Sequence, residues 1–264
     1  MSSDRNVRLT RRIDARPETV FCLIADPAGM SAWLEGEAEF QPEAGSPFTL
    51  RFPQYQMVIA GSVVEVDPPR KMVLTWGVAE GQNSEWFAPG ASTLSMELEP
   101  DGNGTLIHLV HSDLPIEAVM EEHEGGWRYH ITRLQVRANR MDLAERLPET
   151  WDTWYQAWAE PEPTRRKELL EKCCASDFTY ADDYTTLEGL DMLSLHIANC
   201  LKFMPGMTVT QAGPAVVCRG QVLVPWRSAG AEGMPTFAGQ MYARVALDGR
   251  LQEATSFWGP LESA

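Results

Sequence analysis

The sequence predicts an α+β protein in two successive parts, on three observations. Glu65 to Gly77, EVDPPRKMVLTWG, sets two apolar, β-branched runs around a proline turn. From Ile116 to about Leu147 apolar side chains recur every three or four positions. After Pro148, three helical stretches precede four strand-like runs, an α+β order of its own. A chain of 264 residues exceeds the usual single domain of about 100–150 residues, so two domains are expected, residues 1–145 and 146–264.

The elements follow in order. Val7 to Asp14 alternates as a strand, and Pro17 opens a helix over Glu18 to Ala25, with Glu18 near its positive end and Asp26-Pro27 stopping it. Phe48 to Phe52 is a strand. Ala60 to Val66 and Met72 to Trp76 form an antiparallel hairpin, because Asp67-Pro68-Pro69-Arg70 cannot continue a ladder. Ser92 to Leu98 and Thr105 to His111 pair across the turn Asp101-Gly102-Asn103-Gly104. The helix after Ile116 carries Val119 or Met120, His123, Trp127, Ile131 and Leu134 on a wide apolar face that has to lie across something apolar. Gly125-Gly126 inside it costs about 1 kcal/mol per glycine relative to alanine, and the pair reads as permitting a bend or close packing on the sheet.

In the second part, Pro148 starts a new helix whose Trp151, Trp154, Tyr155 and Trp158 share helical spacing, and Glu160-Pro161-Glu162-Pro163 ends it. Only Met141 to Leu147 separates this helix from the preceding one, too little slack to keep the two domains apart. Thr164 to Cys174 is the second helix. Phe178-Thr179-Tyr180, the polar loop Asp182-Asp183-Tyr184, and a helix from Leu190 to Met204 follow. Strands are expected over Thr208 to Gly213, Ala215 to Trp226, Thr236 to Leu247 and Leu251 to Trp258, the last two joined by Asp248-Gly249.

Charge narrows the partners. Both halves are acidic, about −8 over residues 1–140 and −7 over residues 141–264, which repels phosphate backbones and anionic lipid. Nucleic acid and a membrane surface are not expected partners. No apolar run reaches bilayer length, and MSSDRNVRLTRRID lacks the apolar core of a signal peptide, so a cytoplasmic location is expected. Five cysteines, Cys22, Cys173, Cys174, Cys200 and Cys218, are an odd number without metal-ligand spacing and suit reduced thiols. His108, His111, His123 and His130 make no metal motif either, and no metal or cofactor is expected.

The hairpin stretch resembles the signature strand pair of the family named after the activator of the heat-shock protein 90 ATPase, a branch of the START-like helix-grip superfamily. Further matches come in the family's order: Pro17-Glu18-Thr19-Val20-Phe21, Asp26-Pro27, Trp33-Leu34, Gly104-Thr105 to His111-Ser112, then Gly126-Trp127 with Arg133-Leu134, together covering roughly residues 5–140. The resemblance implies a curved antiparallel sheet gripping a long helix, often with a ligand cavity between them. Trp33, Phe52, Trp76, Trp86, His111, Trp127 and Ile131 are then candidate ligand-binding residues, each equally accounted for as core. His111 matches a position where histidine is common in that family.

The second part resembles the SnoaL-like polyketide-cyclase branch of the nuclear-transport-factor-2-like superfamily. The matches are the tryptophan-rich helix, Phe178 to Asp183, Gly189-Leu190, and LDGRLQEATSFWGP from Leu247 to Pro260, covering roughly residues 148–262. The resemblance implies a cone of bent sheet and helices, with Trp154, Tyr155 and Trp258 as candidate lining residues and Asp182 or Asp183 as a candidate catalytic base. Turn chemistry and helix capping account for the same aspartates. The ketosteroid-isomerase pattern is not reproduced: Trp154 stands where its tyrosine is expected, Tyr155 is one position off, and its second acid falls near Gln240 and Met241.

Three functions follow as expectations. The first is binding of a small hydrophobic molecule in one or both domains, aided by 9 tryptophans and 12 methionines. The second is a cyclase, isomerase or hydratase acting through Asp182 or Asp183. The third is a co-chaperone, which the family's name suggests; the eukaryotic activator has an additional N-terminal domain, whereas this sequence starts at the helix-grip strand. A homodimer through the second domain is the assembly the SnoaL-like resemblance implies.

Overall fold

Alternation in VRLTRRI forms the first strand, β1 (Val7–Ile13), which buries Val7, Leu9 and Ile13. Pro17 then begins α1 (Pro17–Ala25). Asp26 ends that helix and caps the next, α2 (Pro27–Leu34), its carboxylate accepting from the Gly29 amide at 2.7 Å. Six strands follow in the computed structural model, which describes residues 5–82, 87–230 and 236–259: β2 (Glu37–Glu39), β3 (Pro47–Phe52), β4 (Met57–Asp67), β5 (Lys71–Trp76), β6 (Ser92–Asp101) and β7 (Gly104–Ser112). They pair antiparallel in the order β1-β7-β6-β5-β4-β3-β2, so β2 to β7 form a meander and β1 adds the edge strand beside β7. The proline hairpin sits where the sequence puts it, with Val66 opposite Met72 and Asp67 opposite Lys71.

The helical period after Ile116 becomes α3 (Glu117–Ala159). Its Val119, Trp127, Ile131, Leu134 and Ala138 are buried in one core with Phe48, Met72, Leu74, Trp76 and Met96 from the sheet. That core belongs to a compact unit, Met1–Asp142; Leu143–Ala264 is a second.

In the second unit, Leu143, Leu147, Trp151, Trp154, Ala157 and Trp158 of α3 enter a separate core. There follow α4 (Pro163–Cys173), β8 (Cys174–Ala181), β9 (Thr186–Glu188), α5 (Leu190–Phe203), β10 (Thr208–Gln211), β11 (Val216–Cys218), β12 (Gln221–Ala229), β13 (Phe237–Val245) and β14 (Leu251–Trp258). The sheet order is β10-β12-β13-β14-β8-β9, with β11 beside β12, and every pairing is antiparallel except that of β14 with β8. Its inner face carries Val222, Val224, Trp226, Met241, Ala243 and Ala254, all buried. Cys173 and Cys174 are buried where α4 turns into β8, with sulfurs 3.7 Å apart.

Three expectations need correction. Pro148 does not start a new helix but lies inside α3. Its missing amide and the crowding of its ring against the Ala144 carbonyl oppose the helix, but buried Leu143, Leu147 and Trp151 on either side hold the turns together. Of the two roles expected for Gly125 and Gly126, a bend or close packing on the sheet, close packing is not the one: a β-carbon at either would meet nothing within 4 Å. The run Ala215 to Trp226 is two strands, because Arg219 and Gly220 adopt positive φ, 51° and 77°, and turn β11 back onto β12. Among the described residues no helix is long and apolar enough to cross a membrane.

Candidate functional site

Each unit holds a partly open cavity. In the first, the inner face of the sheet and the buried side of α3 bound about 590 Å³. Phe52, Ile59 and Trp76 line it from the sheet, and His123, Gly126, Trp127 and His130 from the helix. Trp76 and Trp127 lie with ring centroids 5.5 Å apart.

Behind this wall His111 organises a chain of hydrogen bonds. An indole nitrogen only donates, so Trp127 Nε1–H donates a hydrogen bond to His111 Nδ1 at 3.0 Å and fixes the neutral ring with hydrogen on Nε2. That Nε2–H donates to Ser92 Oγ at 2.8 Å, and the hydroxyl donates on to the Trp76 carbonyl at 2.9 Å. Burial, helped by nearby His123, lowers the His111 pKa to about 3, so the ring is neutral at any ordinary pH. The chain holds Trp127, a cavity wall, in one orientation.

The second cavity, about 320 Å³, lies inside the second unit. Trp154, Trp158, Trp226, Trp258, Met207 and Met241 make it apolar and aromatic. One carboxylate enters it. The Asp182 side chain is 2% exposed, and its Oδ1 accepts from the amides of Tyr184 and Thr185, both at 2.9 Å. These turn bonds aim Oδ2 at Tyr180 Oη, which donates at 3.3 Å, and at His196 Nε2, 3.4 Å away. Cys200 Sγ lies 3.7 Å from the same His196 nitrogen. Burial, followed by the nearby Asp182 charge, raises the pKa of the Tyr180 phenol; the same two causes raise that of the Cys200 thiol. Tyr155 also lines the cavity, its buried hydroxyl without a partner among the described residues and its pKa raised by burial.

Residues 14–139 match the family model described as Activator of Hsp90 ATPase homolog 1-like protein. The first half of the chain resembles that family. Solved structures similar to parts of this chain include a putative isomerase of the SnoaL-like family from Agrobacterium tumefaciens, 21% identical over 44% of this chain and 99% of that one, with a TM-score of 0.41. The Aha1 dimer from Colwellia psychrerythraea is 20% identical over 49% of this chain and 92% of its own, with a TM-score of 0.42. An Hsp90 activator from Plasmodium falciparum is 22% identical over 49% and 92%, with a TM-score of 0.41. Among curated proteins there is no significant match.

Of the residues singled out in the activator-like half, Phe52, Trp76 and Trp127 line its cavity. Trp33 and Ile131 do not: both are core, and Trp33 donates from Nε1 to the Leu23 carbonyl at 3.0 Å. His111 stands one layer back. Trp86 lies outside the described residues. In the second half Trp154, Tyr155, Trp258 and Asp182 share one cavity, while Asp183 is exposed and lines no described cavity. Sequence reasoning passed over His196. The signal was there: positions 193, 196, 197 and 200 share one face of α5, and a histidine among Leu193, Ile197 and Cys200 on a buried face needs a polar partner.

Proposed function

We propose that this protein binds a small, largely apolar molecule, with a place for one in each unit. The supporting observation is that both cavities are walled by aromatic and methionine side chains and are large enough for a compact organic ligand. Native mass spectrometry after incubation with naphthalene-type probes should show saturable uptake, with altered tryptophan emission from the walls. Absence of saturable uptake in either unit would sink the reading.

One observation favours a second reading, proton-transfer catalysis in the second cavity. Asp182 and His196 face each other in apolar surroundings, and Tyr155 brings an unpartnered hydroxyl to the same space. A base beside a proton donor is the minimum for moving a proton next to a carbonyl. The reading predicts deuterium exchange at carbon next to the carbonyl of cyclic ketones, slowed about 100-fold or more by Asp182→Asn or His196→Gln. Exchange at the buffer rate with wild-type protein would dismiss it.

The second unit also offers an assembly surface. Val216, Leu223 and Phe257 are exposed on the outer face of its sheet, where β11 to β14 lie side by side. We read this stripe as a homodimer contact.

A further inference from the structure

The helix wall of the first cavity holds two histidines whose tautomers the backbone decides. A carbonyl oxygen only accepts, so the 2.8 Å contact of His123 Nδ1 with the Val119 carbonyl puts the ring hydrogen on Nδ1. His130 makes the equivalent contact with the Trp33 carbonyl at 3.4 Å. In each neutral ring Nε2 is then a bare lone pair, and the hydrogen bond that each ring makes among the described residues is through Nδ1. Burial lowers the pKa of both rings, in keeping with neutral acceptors. The remaining polar group that the helix adds to this wall, the Glu122 carboxylate, also accepts when ionised.

The two rings are seven residues apart on α3, about 10 Å at 1.5 Å per residue. Between them lie Gly126, where a β-carbon would meet open space, and the Trp127 ring held by His111. The helix therefore presents the open space over Gly126 and the face of Trp127 between two histidine acceptors.

We propose that the first cavity selects a rigid aromatic or polycyclic molecule with a hydroxyl donor at each end, one bonded to His123 Nε2 and the other to His130 Nε2. The inference rests on the reading that this cavity holds a ligand, and adds what that ligand must carry. Molecules bearing only ether or carbonyl oxygens would leave both acceptors unpaired, which discriminates against them.

The test uses the full chain and a matched pair of probes, a para-linked biphenyl diol and its dimethyl ether. Titration calorimetry should show the diol binding roughly tenfold more tightly than the ether. His123→Phe with His130→Phe should remove that preference, and Gly126→Leu should abolish binding of both by filling the space over Gly126. Nitrogen-resolved spectra of the histidine rings should show hydrogen on Nδ1 of both and a shift of both Nε2 signals with diol alone. Equal affinities for diol and ether would overturn the hydroxyl selection and leave cavity binding standing. Failure of both probes to bind would overturn cavity binding with it, as would binding indifferent to Gly126→Leu. Rings carrying hydrogen on Nε2 would overturn the proposal whatever the probes did.

Discussion

His111 is fully buried and spends both ring nitrogens within the wall, so its effect on stability has a defined sign. Its folded pKa is about 3 against an ordinary 6.5, so the unfolded chain takes up a proton in that interval and the folded chain does not. Stability from this group is present above about pH 6.5 and is lost as pH falls towards 3, by on the order of 1.4 kcal/mol per unit. Urea unfolding from pH 6.5 down to 5 should show at least that slope in the wild type, to which His123 and His130 add because burial shifts them the same way, and a shallower slope in His111→Phe. The variant should also lose about 1–3 kcal/mol at pH 7.5, because Trp127 Nε1 is left buried without an acceptor. Gly126 gives the opposite result. Nothing stands within 4 Å of a β-carbon there, so Gly126→Ala should raise stability by about 1 kcal/mol, read as a higher urea midpoint.

At the scale of elements, legibility depended on whether local chemistry decided the outcome. The Pro68-Pro69 hairpin and the Asp101 to Gly104 turn were readable because the prolines have no amide to give a ladder and Gly102-Asn103 suit a two-residue turn between the paired Asp101 and Gly104. The short strands β2 and β9, three residues each, carry no period to detect, and sheet neighbours alone define them. Pro148 was read as a boundary because local rules make it one, yet tertiary burial on both sides overrode them. The site divides in the same way. Asp182 was legible as a polar loop residue after an apolar strand. His196 comes from a different element, and sequence does not reveal that α5 lies beside β8. Pro148 itself is exposed, as is Ala144 one turn before it. Pro148→Ala restores an amide donor to the Ala144 carbonyl and should stabilise the protein by about 1–3 kcal/mol, measurable by thermal unfolding. A neutral or destabilising result would mean that α3 is strained near residue 148 for another reason.

For the whole molecule, assembly is the property the second unit's outer sheet face bears on most directly. Leu223 pairs with Val216 on one side and Tyr242 on the other, and Gln240, two residues from Tyr242, pairs with Phe257. Period two therefore puts all five side chains on the face opposite the buried Val222, Val224, Met241 and Ala243. Burying a fully exposed leucine or phenylalanine side chain is worth about 1.5–3 kcal/mol; Leu223 and Phe257 are 43% and 55% exposed, so each contributes part of that, twice over in a two-fold contact. Charge opposes it, since the second half carries about −7 and its copies repel. Screening by salt should therefore tighten the dimer, the reverse of an interface built on ion pairs. Sedimentation should give a dimer whose dissociation constant falls between 50 mM and about 500 mM salt, a range across which the Debye length shrinks well below 10 Å. Leu223→Lys with Phe257→Lys should give a monomer at every salt concentration, with cavity binding kept because both side chains face away from it. A wild-type chain that sediments as a monomer at high salt, or a double variant that remains dimeric, would remove this face from consideration.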